Sequence, residues 1–203
     1  MILVVCALAR ELRFLAPRSD IEILPCGIGP VESALYAARA LALAPYAAVI
    51  NAGIGGAFRG RAMVGEAVAI AVDTLADFGL EGGVPLSVAG EEPPVDWAAS
   101  DAALVGACEA AGLRAANGIT VHEVTTTAAT AARLLERYDA DVEAMEGFSV
   151  LRAASLAGVP AVEIRGVSNY VDDRCKSEWN FEAGARATAE ALRALLDRLE
   201  TVL

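Results

Sequence analysis

The chain has 203 residues, is 56% hydrophobic and carries a formal net charge of −11, which suits one α/β domain with a sizeable core and excludes the clustered Lys and Arg of a nucleic-acid backbone binder. No apolar run approaches the roughly 18 uncharged residues of a membrane span, and the N-terminus enters a strand without the basic start and cleavage site of a signal peptide, so a cytoplasmic protein acting on a small molecule is expected. Cys6, Cys26, Cys108 and Cys175 are scattered without a CxxC pair, and His122 is the single histidine, which indicates neither a disulfide framework nor a zinc site. No metal or cofactor is expected, the thiols read as buried and free, and His122 reads as structural.

Short β-branched runs alternate along the chain with Ala-rich and Leu-rich stretches, the pattern of a central sheet covered by helices. Strands are predicted at 2–6, 21–25, 47–51, 67–72, 119–121, 141–144 and 159–166, and helices over 31–44, 101–111, 127–137, 146–157 and 181–199. The segment 81–99, rich in Gly and Pro, reads as a loop or extended excursion. No repeat or linker divides the chain, so 1–203 is expected to be a single domain. Ligands of such sheets sit beyond the carboxyl ends of the strands. Four strand ends carry more than hydrophobic filler.

The first is ALARELRFL, where Glu11 follows the opening strand. A carboxylate there can take a proton from water or ligand, or it can simply favour a helix N-terminus. The second comprises CGIGPVESA and VINAGIGGAF, whose Gly27, Gly29, Gly53, Gly55 and Gly56 permit positive φ and close backbone approach. These segments read as loops that cradle a phosphate, sugar or base edge, though tight turns need the same residues, and the Lys-Ser/Thr ending of a P-loop is missing. The third is DADVEAMEGFSV, where Glu143 and Glu146 flank Met145. A carboxylate accepts two hydrogen bonds at once, which suits the 2′ and 3′ hydroxyls of a ribose; the alternative is an exposed acidic first turn. The fourth is VPAVEIRGVSNYVDDRCKSEW, in which Arg165 interrupts an apolar strand and must be paired, while Ser168 and Asn169 fall at the strand end.

Over nearly its whole length the chain resembles the nucleoside phosphorylase and nucleosidase superfamily, and most of all its futalosine hydrolase branch. The series ALARE, GIGPVESA, NAGIGG, VGEAVAIAVDTLADFGLE, GITVHEVTTTAAT, VEAMEG and RGVSNYVDDRCKSEWN carries the resemblance. It implies a three-layer α/β/α sandwich with a central mixed, partly barrel-like sheet. It also implies cleavage of the N-ribosidic bond of futalosine to hypoxanthine and dehypoxanthine futalosine, a step toward menaquinone, by a homodimer or larger homo-oligomer. Glu11 falls on the carboxylate that positions or activates water, Glu146 on the residue that grips the ribose hydroxyls, and Met145 on the one beneath the sugar. Backbone around Ile54, Gly55 and Gly56, with Thr125, Thr126 and Thr127, falls on the sugar and base sites.

Asn169 stands where adenine-specific nucleosidases carry an Asp, and an amide donates a hydrogen bond but cannot act as a general acid. A 6-oxopurine departs as an anion more readily than adenine, so a donor to N7 or O6 suffices for it, although an amide also pairs with adenine. The benzoate-bearing 5′ chain of futalosine calls for an aromatic wall and a cation, for which Trp179, Phe148, Arg174 and Lys176 are candidates. Arg174 and Lys176 have an alternative in pairing with Asp172 and Asp173. Methylthioadenosine or S-adenosylhomocysteine hydrolysis, phosphate-dependent nucleoside cleavage and a noncatalytic nucleoside sensor remain as alternatives.

Overall fold

The computed structural model describes residues 1–173 and 179–199. Eight strands follow in chain order: β1 (Ile2–Cys6), β2 (Ile21–Pro25), β3 (Ala48–Ala57), β4 (Ala67–Leu75), β5 (Trp97–Ala99), β6 (Arg114–Thr120), β7 (Val142–Ala144) and β8 (Ala161–Tyr170). Five α-helices alternate with them: α1 (Pro30–Leu43), α2 (Ala102–Ala110), α3 (Ala128–Tyr138), α4 (Gly147–Ala157) and α5 (Phe181–Leu199).

The apolar run of β1 is buried at every position, as a strand covered on both faces must be, and it pairs in parallel with β2 and β3. From β3 the sheet continues through β7, β6 and β4, and β8 pairs with both β3 and β4. Those five strands therefore close a mixed barrel, from which β1 and β2 extend on one side and β5 on the other. Closure leaves β8 without a free edge, parallel to β3 and antiparallel to β4.

Helices α2 and α5 cover one face, where Leu104, Cys108, Leu192, Leu195 and Leu196 pack on Val4, Ile50 and Ile164. Helices α1 and α4 cover the other through Ala37, Val150, Leu151 and Ala154 against Leu3, Val5 and Val49. Together they form the α/β/α sandwich with a barrel-like sheet that the resemblance implies. The Asp101 carboxylate caps α2 by accepting from the Ala103 and Leu104 amides, and Gly158, at φ 69°, ends α4 in the left-handed region.

Two expectations are corrected. The segment 52–57 is not a loop, because β3 runs straight through Gly53, Gly55 and Gly56, none of which has a positive φ. These glycines are needed for space: a Cβ on Gly53 would stand 2.8 Å from Arg165 Nη1, and one on Gly55 would stand 2.7 Å from Val142 Cγ1. Likewise the last strand does not stop at 166: β8 extends to Tyr170, so Ser168 and Asn169 at its end are strand residues. Between β3 and β8 the register shifts so that Gly55 faces Val167 and Gly56 faces Asn169, which leaves Ser168 as the extra residue of a β-bulge. Within 81–99, Trp97–Ala99 forms the short edge strand β5.

Candidate active site

Where the barrel meets the turn after β1, a cavity of about 230 Å³ opens. Its lining brings together Glu11, Ile54, Gly55, Gly56, Met145, Glu146, Asn169 and Trp179 from the residues singled out by sequence. Thr126 lines a neighbouring cavity with His122 and Arg133 instead. Thr127 caps α3, its hydroxyl oxygen accepting from the Thr130 amide, and Phe148 packs on the Leu3–Val5 side of the sheet. Arg174 and Lys176 lie outside the described residues.

Glu11 sits in a single 3-10 turn, Ala9–Leu12, and is only 4% exposed. Its Oε2 accepts from the Leu8 amide at 2.9 Å and its Oε1 from the Ile54 amide at 3.3 Å. Gly53 makes this approach to β3 possible, since a Cβ there would lie 3.3 Å from Glu11 Oε1. Burial pushes the Glu11 carboxyl above the usual carboxylate range, and Glu146 adds to the shift, while the Leu8 and Ile54 amides and Arg165 oppose it.

Glu146 immediately precedes α4 and is also 4% exposed. Its Oε1 accepts from the Gly29 amide at 3.1 Å and its Oε2 pairs with Arg165 Nη1 at 3.2 Å. The Gly29 amide, read from sequence as part of a cradle, is thus already committed to a side chain. Gly29 itself adopts φ +98°, a conformation that favours glycine.

Arg165, 1% exposed, is the hub beneath both carboxylates. Its Nε donates to Glu163 Oε1 at 2.7 Å and its Nη2 to Asn51 Oδ1. Burial works against the guanidinium's charge, but Glu163 and Glu146 outweigh it and hold Arg165 above its ordinary value.

At the other end of the cavity, Trp179 Nε1 donates to Ser168 Oγ at 2.9 Å, and Ser168 Oγ lies 2.7 Å from Asn169 Oδ1. Asn169 Nδ2 donates to the Tyr170 carbonyl at 3.1 Å. Turning the amide over would face Oδ1 against that carbonyl, two acceptors in contact, so the orientation is set and one N–H of Nδ2 remains for a ligand. Gly56 again gives the space: a Cβ there would lie 3.0 Å from Nδ2.

Glu143 is clamped by Thr125, whose amide donates to Oε1 at 3.0 Å and whose hydroxyl bonds Oε2. Burial raises its pKa above the ordinary carboxylate value, and the Thr125 bonds oppose that rise without cancelling it. Asp172 pairs with Arg59, and Asp173 accepts from the Ala128 amide at 2.8 Å, so both acids are engaged by other elements. Cys6 and Cys26, close to the acids, are pushed by burial up to about 12 and about 11, which keeps both as thiols at neutral pH.

The lining also includes Arg10, the neighbour of Glu11 in sequence, and three residues that sequence reasoning did not place there: Phe181, Ile28 and Tyr170. Arg10 stacks on the Phe181 ring at 4.6 Å and is the one cation among the described lining residues, facing Glu11, Glu143, Glu146, Asp172 and Asp173. The signal for Phe181 was its position as the first residue of α5, directly after the polar run.

Residues 8–203 match the family model of the phosphorylase superfamily. The sequence is 40% identical over 194 residues to the futalosine hydrolase of Streptomyces coelicolor, covering 89% of this chain and 80% of that protein. The fold superimposes on futalosine hydrolase of Helicobacter pylori with a TM-score of 0.83 at 18% identity, over 97% of each chain. It superimposes equally, at 0.83 and 17% identity over 96% of this chain and 97% of the other, on 5′-methylthioadenosine/S-adenosylhomocysteine nucleosidase of Neisseria meningitidis in complex with methylthio-immucillin-A. Shape alone therefore does not separate the two activities, and the sequence relationship does: the chain belongs to the phosphorylase superfamily and, within it, to the futalosine hydrolase family.

Proposed function

We propose that the protein hydrolyses the N-ribosidic bond of futalosine, releasing hypoxanthine and dehypoxanthine futalosine. The observation that carries this reading, beside the family relationship, is an amide rather than an acid at the base end of the cavity, held with an N–H free for the purine. That donor suits N7 or O6 of a 6-oxopurine leaving with negative charge. Each oxygen of Glu146 accepts one protein hydrogen bond and keeps capacity for a ribose hydroxyl. Glu11, as the buried carboxylate of raised pKa, takes a proton from water attacking the anomeric carbon. Met145 packs under the sugar.

Phosphate is a poor nucleophile for this site. Among the described residues, five lining carboxylates oppose one lining cation, Arg10, and Arg13 is paired with Glu182 at 3.2 Å. Arg10 on Phe181 instead suits a carboxylate-bearing aromatic group at the 5′ end of the substrate.

No helix among the described residues is long and apolar enough to cross a membrane. A homodimer or larger assembly, in the cytoplasm as the sequence suggests, fits the exposed apolar side chains of Ile28, which lines the cavity, and of Val31 and Leu35 on α1, which are 57%, 68% and 61% exposed. A monomer by sedimentation at assay concentration would exclude the assembly.

Incubation with futalosine, methylthioadenosine and inosine, with and without phosphate, tests the activity. Hypoxanthine released from futalosine without phosphate supports it. Adenine release alone, strict phosphate dependence, or binding without turnover overturns it in favour of a methylthioadenosine nucleosidase, a phosphorylase or a sensor respectively.

A further inference from the structure

Two carboxylates that take no part in the proposed chemistry lie directly beneath it. Asp73 on β4 and Glu163 on β8 are both 0% exposed. Asp73 Oδ1 accepts from the Thr120 hydroxyl at 2.7 Å, and Glu163 Oε1 accepts from Arg165 Nε at 2.7 Å. Their other oxygens, Asp73 Oδ2 and Glu163 Oε2, are buried with no hydrogen-bond partner among the described residues. An unsatisfied buried carboxylate oxygen is costly, so two of them at one place require an explanation.

Both oxygens crowd the same point. A Cβ on Gly147 would fall on the Glu163 carboxylate and 2.5 Å from Asp73 Oδ2, and a Cβ on Gly118 would lie 2.8 Å from that same Oδ2. Two ionised carboxylates cannot face each other there. Arg165 is the buried cation of the cluster, and it already serves Glu163 and Glu146, with Glu11 close enough to act on its charge.

We propose that Asp73 and Glu163 share one proton, hydrogen-bonding Oδ2 to Oε2, and together act as positioning residues for Glu146. The raised pKa of Asp73, caused by burial and then by Glu163, agrees with this geometry, in which the proton belongs to the pair. The pair supports Glu146 at two points. Glu163 holds the Arg165 guanidinium that binds Glu146 Oε2. Asp73 holds the Thr120 hydroxyl oxygen, which in turn accepts from the Phe148 amide at 2.9 Å and so fixes the first turn of α4, next to Glu146. Gly147 has no side chain because the pair occupies that space.

The role of Glu146 rests on the proposed function, but the shared proton does not, so the test has two arms. Infrared difference spectra of wild type against Asp73→Asn at about pH 8, where ordinary carboxylates are ionised, should show the loss of one protonated-carboxyl C=O band; no loss overturns the proposal. In turnover of futalosine, Asp73→Asn keeps a donor for Glu163 and should stay within about threefold of wild type, whereas Asp73→Ala should lose about tenfold or more in kcat/KM. Equal loss in both variants, or none in Asp73→Ala, overturns the positioning role. A wild type inactive on futalosine refutes the activity instead, and the infrared result still decides the shared proton.

Discussion

Glu11 is held by opposing influences, and their balance is what makes it usable as a base. Burial raises its proton affinity, while two backbone amides and Arg165 keep the ionised form accessible. Glu11→Gln preserves size and the acceptor oxygen for one amide but cannot take a proton. It should lower kcat by about 10²- to 10⁴-fold while leaving the Kd for substrate within a few-fold, measured by calorimetry; turnover near wild type would reject Glu11 as the base. Because the ionised form is the active one and its pKa is raised, kcat/KM should fall as pH drops through a value above that of an ordinary glutamate. The acid limb of the profile should disappear in the residual activity of Glu11→Gln.

The elements that aim these residues meet at close backbone contacts. Helix α5 lies so near β8 that a Cβ on Gly166 would strike the Gly184 carbonyl and the Thr188 hydroxyl. Thr188 Oγ1 accepts from the Gly166 amide at 3.1 Å and lies 2.9 Å from the Gly53 carbonyl, so α5 ties β3 to β8 beside Arg165. Gly166→Ala must push helix from strand, and should cost about 1–3 kcal/mol of stability or more, read as a lower urea midpoint at unchanged m-value. An unchanged midpoint would mean that the helix yields freely. Contacts of this kind explain what was legible in the sequence. Strand runs such as 2–6 and the amphipathic span of α5 show in the hydrophobic period, because they answer to local pattern. The glycines of β3 read as a loop because composition cannot distinguish positive φ from close approach across strands. The bulge at Ser168 depends on pairing with β3, and the stacking of Arg10 on Phe181 depends on α5 returning to the cavity, so neither leaves a local signature.

At the scale of the whole molecule, the barrel encloses more acid than base, and this should be visible in stability. Glu11, Glu146, Glu163 and Asp73 are all buried around Arg165, with Thr120 as a neutral partner. A carboxyl whose folded pKa lies well above its unfolded value of about 3.9 retains at neutral pH a proton that the unfolded chain has released. Its stabilising contribution is therefore full below the unfolded value and is lost as pH rises toward the folded one, at up to about 1.4 kcal/mol per pH unit for one proton. Glu11 and Glu143, also raised, add the same sign, whereas Cys6, Cys26 and Cys108, raised to about 12, 11 and 12, add to it only once unfolded thiols ionise. Comparison with Asp73→Asn cancels these shared contributions. Between about pH 6 and 8, the unfolding free energy of the wild type relative to Asp73→Asn should fall as pH rises, measured by urea denaturation at each pH. A difference that stays constant across the window would mean that Asp73 is ionised in the fold, and that the cluster bears its full negative charge on one guanidinium.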